Sequence, residues 1–211
     1  MSRDPLLKYI RRIGRPAFTT REVAALSGKT MSATTQGLSY LHSSGILLKI
    51  KRGLWADLGN DRLSPLAIVP YITPGHRAYV SFVSALHFRG LIEQIPHVTT
   101  VASTAHSKTV RTPIGTYRVH RISPEIFDGF DWYGKNRDVL MASAEKALVD
   151  SLYLSIHRKK QYRFFPELRF PASFSFKRAE SWARRIPSPR SRTRVLKDLE
   201  HLKTDRRRFP S

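Results

Sequence analysis

The sequence predicts an α+β chain in two parts: helices closed by a basic hairpin over residues 1–60, then a mixed α/β domain over 61–211 ending in basic helices. Three observations predict it. The apolar period changes from helical to strand-like after Gly45, turn chemistry at Leu58-Gly59-Asn60-Asp61 marks a boundary, and charge is segregated along the chain. Residues 1–57 carry 10 basic and 3 acidic residues (+7), residues 58–156 carry 10 and 8 (+2), and residues 157–211 carry 17 and 5 (+12). A net charge of +21 divided in this way exceeds what solubility requires and favours a polyanionic partner.

The first helix is expected over Pro5–Ile13, where Leu6, Leu7, Ile10 and Ile13 recur at helical spacing and Gly14 stops the turn. The second opens on Thr19 and Glu22, a T-x-x-E capping box. Phe18 and Val23 sit where a hydrophobic staple would close over it, Val23 and Leu26 are expected to face inward, and Gly28 ends it. Thr30 or Ser32 can cap a third helix with Thr35, Leu38 and Leu41 on its inner face, leaving Thr34, Gln36, Gly37 and Tyr40 outward. After Gly45, Ile46–Ile50 and Leu54–Ala56 read as strands flanking a basic tip, Lys51-Arg52-Gly53.

Helix, capped helix, turn, polar-faced helix and basic hairpin in that order match a winged helix-turn-helix. Such a domain inserts one helix into a major groove, and double-stranded DNA is the expected partner. Gln36 is chemically suited to an adenine edge, and Thr34 and Tyr40 to a base or phosphate. Lys29, Lys49, Lys51 and Arg52 are suited to phosphates, and Thr30 lies at the front of the same helix. The bland alternative, a solvated charged surface, fits the neutral middle better than the two basic ends.

Beyond residue 60, Ser64–Ile72 reads as a short helix, Ser81 as the cap of a helix Phe82–Gly90, and Val98–Ser103 and Tyr117–Ile122 as strands. Asp138–Ala142 reads as a short strand, followed by a helix Ala144–His157 opened by Ser143. Phe176–Ile186 and a basic stretch from Arg190 to Leu202 read as the last helices, before the tail Arg206-Arg207-Arg208.

Two stretches here, Val80-Ser81-Phe82-Val83-Ser84-Ala85-Leu86-His87-Phe88-Arg89-Gly90-Leu91 and Ala142-Ser143-Ala144-Glu145-Lys146-Ala147-Leu148-Val149-Asp150-Ser151-Leu152-Tyr153, resemble the two signature segments of the AbiEi antitoxin family. Their order and spacing also match, as does the wing phrase Lys51-Arg52-Gly53-Leu54-Trp55. Ala144 stands where that family often has proline, and the basic tail is not characteristic of it. The resemblance implies an antitoxin-type second domain. It also implies an autorepressor that binds inverted repeats in its own promoter and opposes a nucleotidyltransferase-like toxin of a type IV toxin–antitoxin pair. Glu145, Lys146 and Asp150 are the candidates for the antitoxin role; equally, Lys146 and Asp150 are spaced i, i+4 and would then only support their helix. A solitary winged-helix regulator, or a basic RNA-binding or architectural protein, are the alternatives.

No catalytic, metal or cofactor site is expected. The eight histidines form no H-x-x-x-H or H-E-x-x-H pair, no glycine-rich phosphate loop occurs, and there is no cysteine to ligate zinc. His87, six residues after Ser81, reads as a packed helix residue. The absence of cysteine, of a leader-like N-terminus and of a long apolar run leads to the expectation of a cytoplasmic protein with no membrane partner.

Overall fold

The computed structural model describes residues 5–134, 137, 139–157 and 167–208; among them it places eight α-helices, two short 3-10 turns and two β-sheets in a mixed α+β arrangement. The chain divides into two compact units, Met1–Tyr71 with Arg111–Gly115, and Ile72–Val110 with Thr116–Ser211. No helix among the described residues is long and apolar enough to cross a membrane.

In the first unit, α1 (Pro5–Ile13), α2 (Thr20–Ser27) and α3 (Met31–Ser43) enclose an apolar core with a three-stranded antiparallel sheet. The sheet is ordered β1 (Ala17–Thr19), β3 (Leu54–Asp57), β2 (Leu47–Lys51). Leu6, Ile10, Phe18, Val23, Leu38, Leu41, Leu47 and Trp55 form the core. The capping box forms as the sequence leads one to expect: Thr19 accepts from the Glu22 N–H at 3.2 Å, and Glu22 Oε2 accepts from the Thr19 N–H at 2.7 Å. Phe18 and Val23 are both fully buried, and Gly28 ends α2 in the left-handed conformation with φ 67°. Leu26, by contrast, is 41% exposed, three residues past the buried Val23.

Thr30, not Ser32, caps α3, and the inner face of α3 is not the one its sequence suggested. Thr34, Leu38 and Leu41 are buried, whereas Thr35 is exposed. The true stripe is i, i+4, i+7, which follows the 3.6-residue period better than i, i+3, i+6. Gly37 also turns inward, since a Cβ on it would lie 2.4 Å from Leu6 Cδ1; α1 packs where a larger residue would stand.

The first unit continues past residue 60 because later side chains tie back to it. The Tyr71 hydroxyl donates to the Ala17 carbonyl at 2.7 Å, Lys51 Nζ donates to the Tyr71 carbonyl at 2.7 Å, and Arg62 donates to the Gly14 carbonyl. The expected helix Ser64–Ile72 is a 3-10 turn, Pro65–Ile68, running into α4 (Val69–Ile72).

The second unit is built, apart from the Arg111–Gly115 stretch already counted with the first, on a six-stranded sheet ordered β6 (Lys108–Thr112), β7 (Gly115–Arg121), β5 (Thr99–Ser103), β4 (Ala78–Val80), β9 (Val139–Ala142), β8 (Phe130–Tyr133). Asp138, expected in the last of the read strands, lies outside the described residues. Strands β4 and β9 run parallel with Val80 opposite Met141, and each leads into a helix, α5 (Phe82–Phe88) and α6 (Ala144–His157). Two β–α units far apart in the chain thus lie side by side, and α5 packs on α6. The helices α7 (Phe176–Arg184) and α8 (Pro189–Arg208) follow and pack against each other and α6. Ser191, Val195 and Leu199 form the buried face of α8, spaced i, i+4, i+8.

Candidate functional site

The outward face of α3 follows from the burial of its other side. With Thr34, Leu38 and Leu41 turned inward, Ser32, Thr35, Gln36 and Tyr40 face solvent, Tyr40 at 65% exposure. Among the described residues the side chains of Gln36 and Tyr40 make no hydrogen bond, so their polar groups are available to a ligand. This face carries hydrogen-bonding groups and no formal charge.

Exposed cations lie on the elements that adjoin α3. Lys29 is exposed in the turn between α2 and α3, and Arg52 is exposed at the tip of the β2–β3 hairpin, where Gly53 (φ 74°) permits the tight reversal. Lys49 is exposed with its Nζ 5.5 Å from the centre of the Trp55 ring, a cation–π arrangement that restrains it along the hairpin. Arg21, which no sequence motif singles out, is exposed on the first turn of α2.

Three of the residues expected here serve the fold instead. Thr34 is fully buried and its hydroxyl donates to the Thr30 carbonyl at 2.8 Å, so it has no path to a base or phosphate. Lys51 is half-buried and anchored on the Tyr71 carbonyl, and Thr30 spends its hydroxyl oxygen on the Ala33 N–H at 3.2 Å.

The two segments quoted above from the second unit meet in space. The first covers the end of β4 and α5, the second the end of β9 and α6, and polar side chains join them. Asp150 Oδ2 accepts from the Tyr79 hydroxyl at 2.9 Å and from Ser81 Oγ at 2.7 Å. Lys146 Nζ donates to Tyr79 Oη at 3.0 Å and pairs with Asp150 Oδ1. Ser81 makes no side-chain cap on α5, because its hydroxyl is committed to Asp150. Burial, and then the adjacent Asp150 charge, push the Tyr79 phenol well above its ordinary range, so it stays a neutral donor. All four side chains are buried, and Phe82, the residue that turns β4 into α5, holds a left-handed φ of 55° inside the core. An exposed helical ion pair is therefore the wrong description of Lys146 and Asp150; with no access for a partner, they are internal cross-links.

Glu145 points elsewhere. Its Oε1 accepts from the Ser175 N–H at 3.1 Å and from Arg178 at 2.8 Å, which fastens the start of α6 to the start of α7. It borders a cleft of about 420 Å³ with Trp182, Phe130 and Asp131. At the edge of that cleft Asp128 is held below the usual carboxylate range by the Gly129 N–H and by Arg185. Compared with known proteins, the chain matches no family model and no curated relative.

Proposed function

We propose that the chain is a duplex-DNA-binding regulator whose first unit works as a winged helix-turn-helix. In this reading α2 and α3 are the two helices, α3 enters the major groove, and the β2–β3 hairpin is the wing. The observation that carries it is the outward face of α3: the uncharged Gln36 and Tyr40, whose polar groups are uncommitted among the described residues, with exposed cations on the adjoining turn and hairpin. Phosphate contacts from Lys29, Lys49 and Arg52 supply affinity, and Gln36, able to pair with both N6 and N7 of adenine, supplies discrimination. The test is competition binding of the full chain to random and selected duplexes, where wild type must prefer one sequence.

The resemblance to AbiEi antitoxins extends the proposal to the second unit: a cytoplasmic autorepressor that opposes a nucleotidyltransferase-like toxin. Of the three candidate residues only Glu145 borders a cleft open to a partner, so it is the one assigned to that role. Co-expression with the neighbouring gene product tests it. Glu145→Gln should reduce growth rescue while promoter binding and thermal unfolding stay near wild type; full rescue by this variant removes Glu145 from the role.

A further inference from the structure

We infer that the groove between the C-terminal end of α6 and α8 is a second nucleic-acid site, and that it holds single-stranded RNA. It belongs wholly to the second unit, and its action does not depend on the duplex reading proposed for the first.

The observation begins with the spacing of charge on α8. Arg190, Arg194 and Lys197 lie at i, i+4 and i+7, opposite the buried Ser191, Val195 and Leu199 face, and all three are exposed. At 1.5 Å per residue their Cα atoms advance by about 6 Å and then about 4.5 Å, a linear row of cations suited to the evenly spaced charges of a nucleic-acid strand. The row starts in the first turn of a 20-residue helix, where the helix dipole also favours anions.

The cations line a recess, which separates a single strand from a duplex. They form one wall of a groove of about 760 Å³, and Ile156 and Pro189 give it an apolar part. A positive groove tracks the phosphates of an unpaired strand, and here Ile156 and Pro189 offer the bases an apolar wall where other single-strand sites use aromatic rings. A duplex presents its phosphates on outward ridges beside a major groove about 12 Å wide, and is met by protruding elements instead.

The acceptors in the groove point to RNA. Asp198, held by Arg194 at 3.1 Å, sits in the same wall, where a carboxylate would only repel phosphates. Ser155 donates its proton to the Leu152 carbonyl at 2.7 Å, which leaves its oxygen able only to accept. The Ser155 oxygen, and the lone pairs Asp198 does not turn to Arg194, can accept from the ligand, and the ribose 2′-hydroxyl is a donor that RNA has and DNA lacks.

The experiment measures binding of the full chain to a labelled single-stranded RNA of about ten nucleotides, a length within the range of single-strand sites. Single-stranded DNA of the same sequence and the corresponding duplex serve as the other probes, over a series of salt concentrations. Replacing Arg190, Arg194 and Lys197 together by alanine should weaken RNA binding by ~10-fold or more and flatten the log–log salt slope by about 2, at ~0.7 per lost phosphate contact. Duplex binding should stay within about twofold, because phosphate contacts in the first unit remain. Asp198→Ala should shrink the preference for RNA over single-stranded DNA, and replacing both arginines by lysine should retain most binding. Unchanged RNA binding by a triple variant that melts like wild type overturns the inference, as does an equal loss on RNA and duplex. If the triple variant melts early, the wild-type salt slope on RNA decides, and a slope shallower than about 2 overturns it.

Discussion

Lys146 and Asp150, one turn apart on α6, form an ion pair with side-chain exposures of 1% and 0%, closed over by Tyr79 and Ser81 from the neighbouring strand and its turn. Taking both charges out of water is costly, and only the mutual pairing and the added hydrogen bonds offset it. Removing one partner strands the other. Lys146→Met or Asp150→Asn should each destabilise the second unit by about 3 to 5 kcal/mol. The double variant should lose clearly less than the two single losses added, and a denaturant double-mutant cycle on the full chain checks this. Strict additivity would mean that the two side chains do not act as a pair.

Gly129 supplies a second test of the same region. Its φ is 78°, and a Cβ there would lie 2.8 Å from Trp182 Cζ2 and 2.9 Å from Lys146 Cγ. Left-handed backbone costs a non-glycine residue roughly 1 to 2 kcal/mol, and overpacking typically adds about 1 to 3 kcal/mol. Gly129→Ala should therefore lower the stability of the second unit by about 2 to 5 kcal/mol in the same denaturation assay. A variant as stable as wild type would show that α7 yields without cost.

The capping box makes the first unit sensitive to acid. Burial raises the Glu22 carboxyl, but the Thr19 N–H and hydroxyl and the Arg15 charge outweigh it and hold it below its ordinary range. A carboxyl depressed in the folded state binds fewer protons there than in the unfolded chain. Its stabilisation is thus complete above the ordinary glutamate range and is lost as pH falls through the lower folded value. Glu22→Gln should be less stable than wild type near neutrality, and the gap should close on acidification. Thr19→Ala should cost about 0.5 to 2 kcal/mol through the lost cap. A gap that is independent of pH would remove Glu22 charge from the explanation.

What could be read from sequence was local. The Thr19–Glu22 box, the α1 stripe and the β2–β3 hairpin are written within a few residues of themselves, and they form. The phase of α3 is hard to read because Thr34 and Thr35 are chemically alike; the 3.6-residue period favours Thr34, and the close approach of α1 at Gly37 agrees with it. Strands β1 and β4 have three residues each, too few to show a period, and their partners lie far along the chain. The i, i+4 spacing of Lys146 and Asp150 does not reveal their burial, because nothing near them in sequence names Tyr79 and Ser81 as their lid. The first unit reached Tyr71 and not residue 60 for a similar reason, since its closing bonds go to Ala17 and Lys51.

The β2–β3 hairpin, proposed as a wing, should act without regard to sequence. Arg52 is exposed at the hairpin tip, whereas Lys51 is tied to Tyr71, so Arg52→Ala is the cleaner probe. It should weaken binding to every duplex and reduce the salt slope by about 1. A loss confined to one sequence would make Arg52 a base-reading residue.

The proposed duplex-reading face of α3 is tested most directly at Gln36. The full chain is used to select a preferred duplex from a random pool, and wild type and Gln36→Ala are then titrated against that duplex and a scrambled one. If Gln36 reads an adenine edge, the variant should lose about 1 to 3 kcal/mol on the selected duplex, concentrated at one base position, and almost nothing on the scrambled one. Equal affinity of variant and wild type for the selected duplex, or an equal loss on both, would contradict sequence reading by α3.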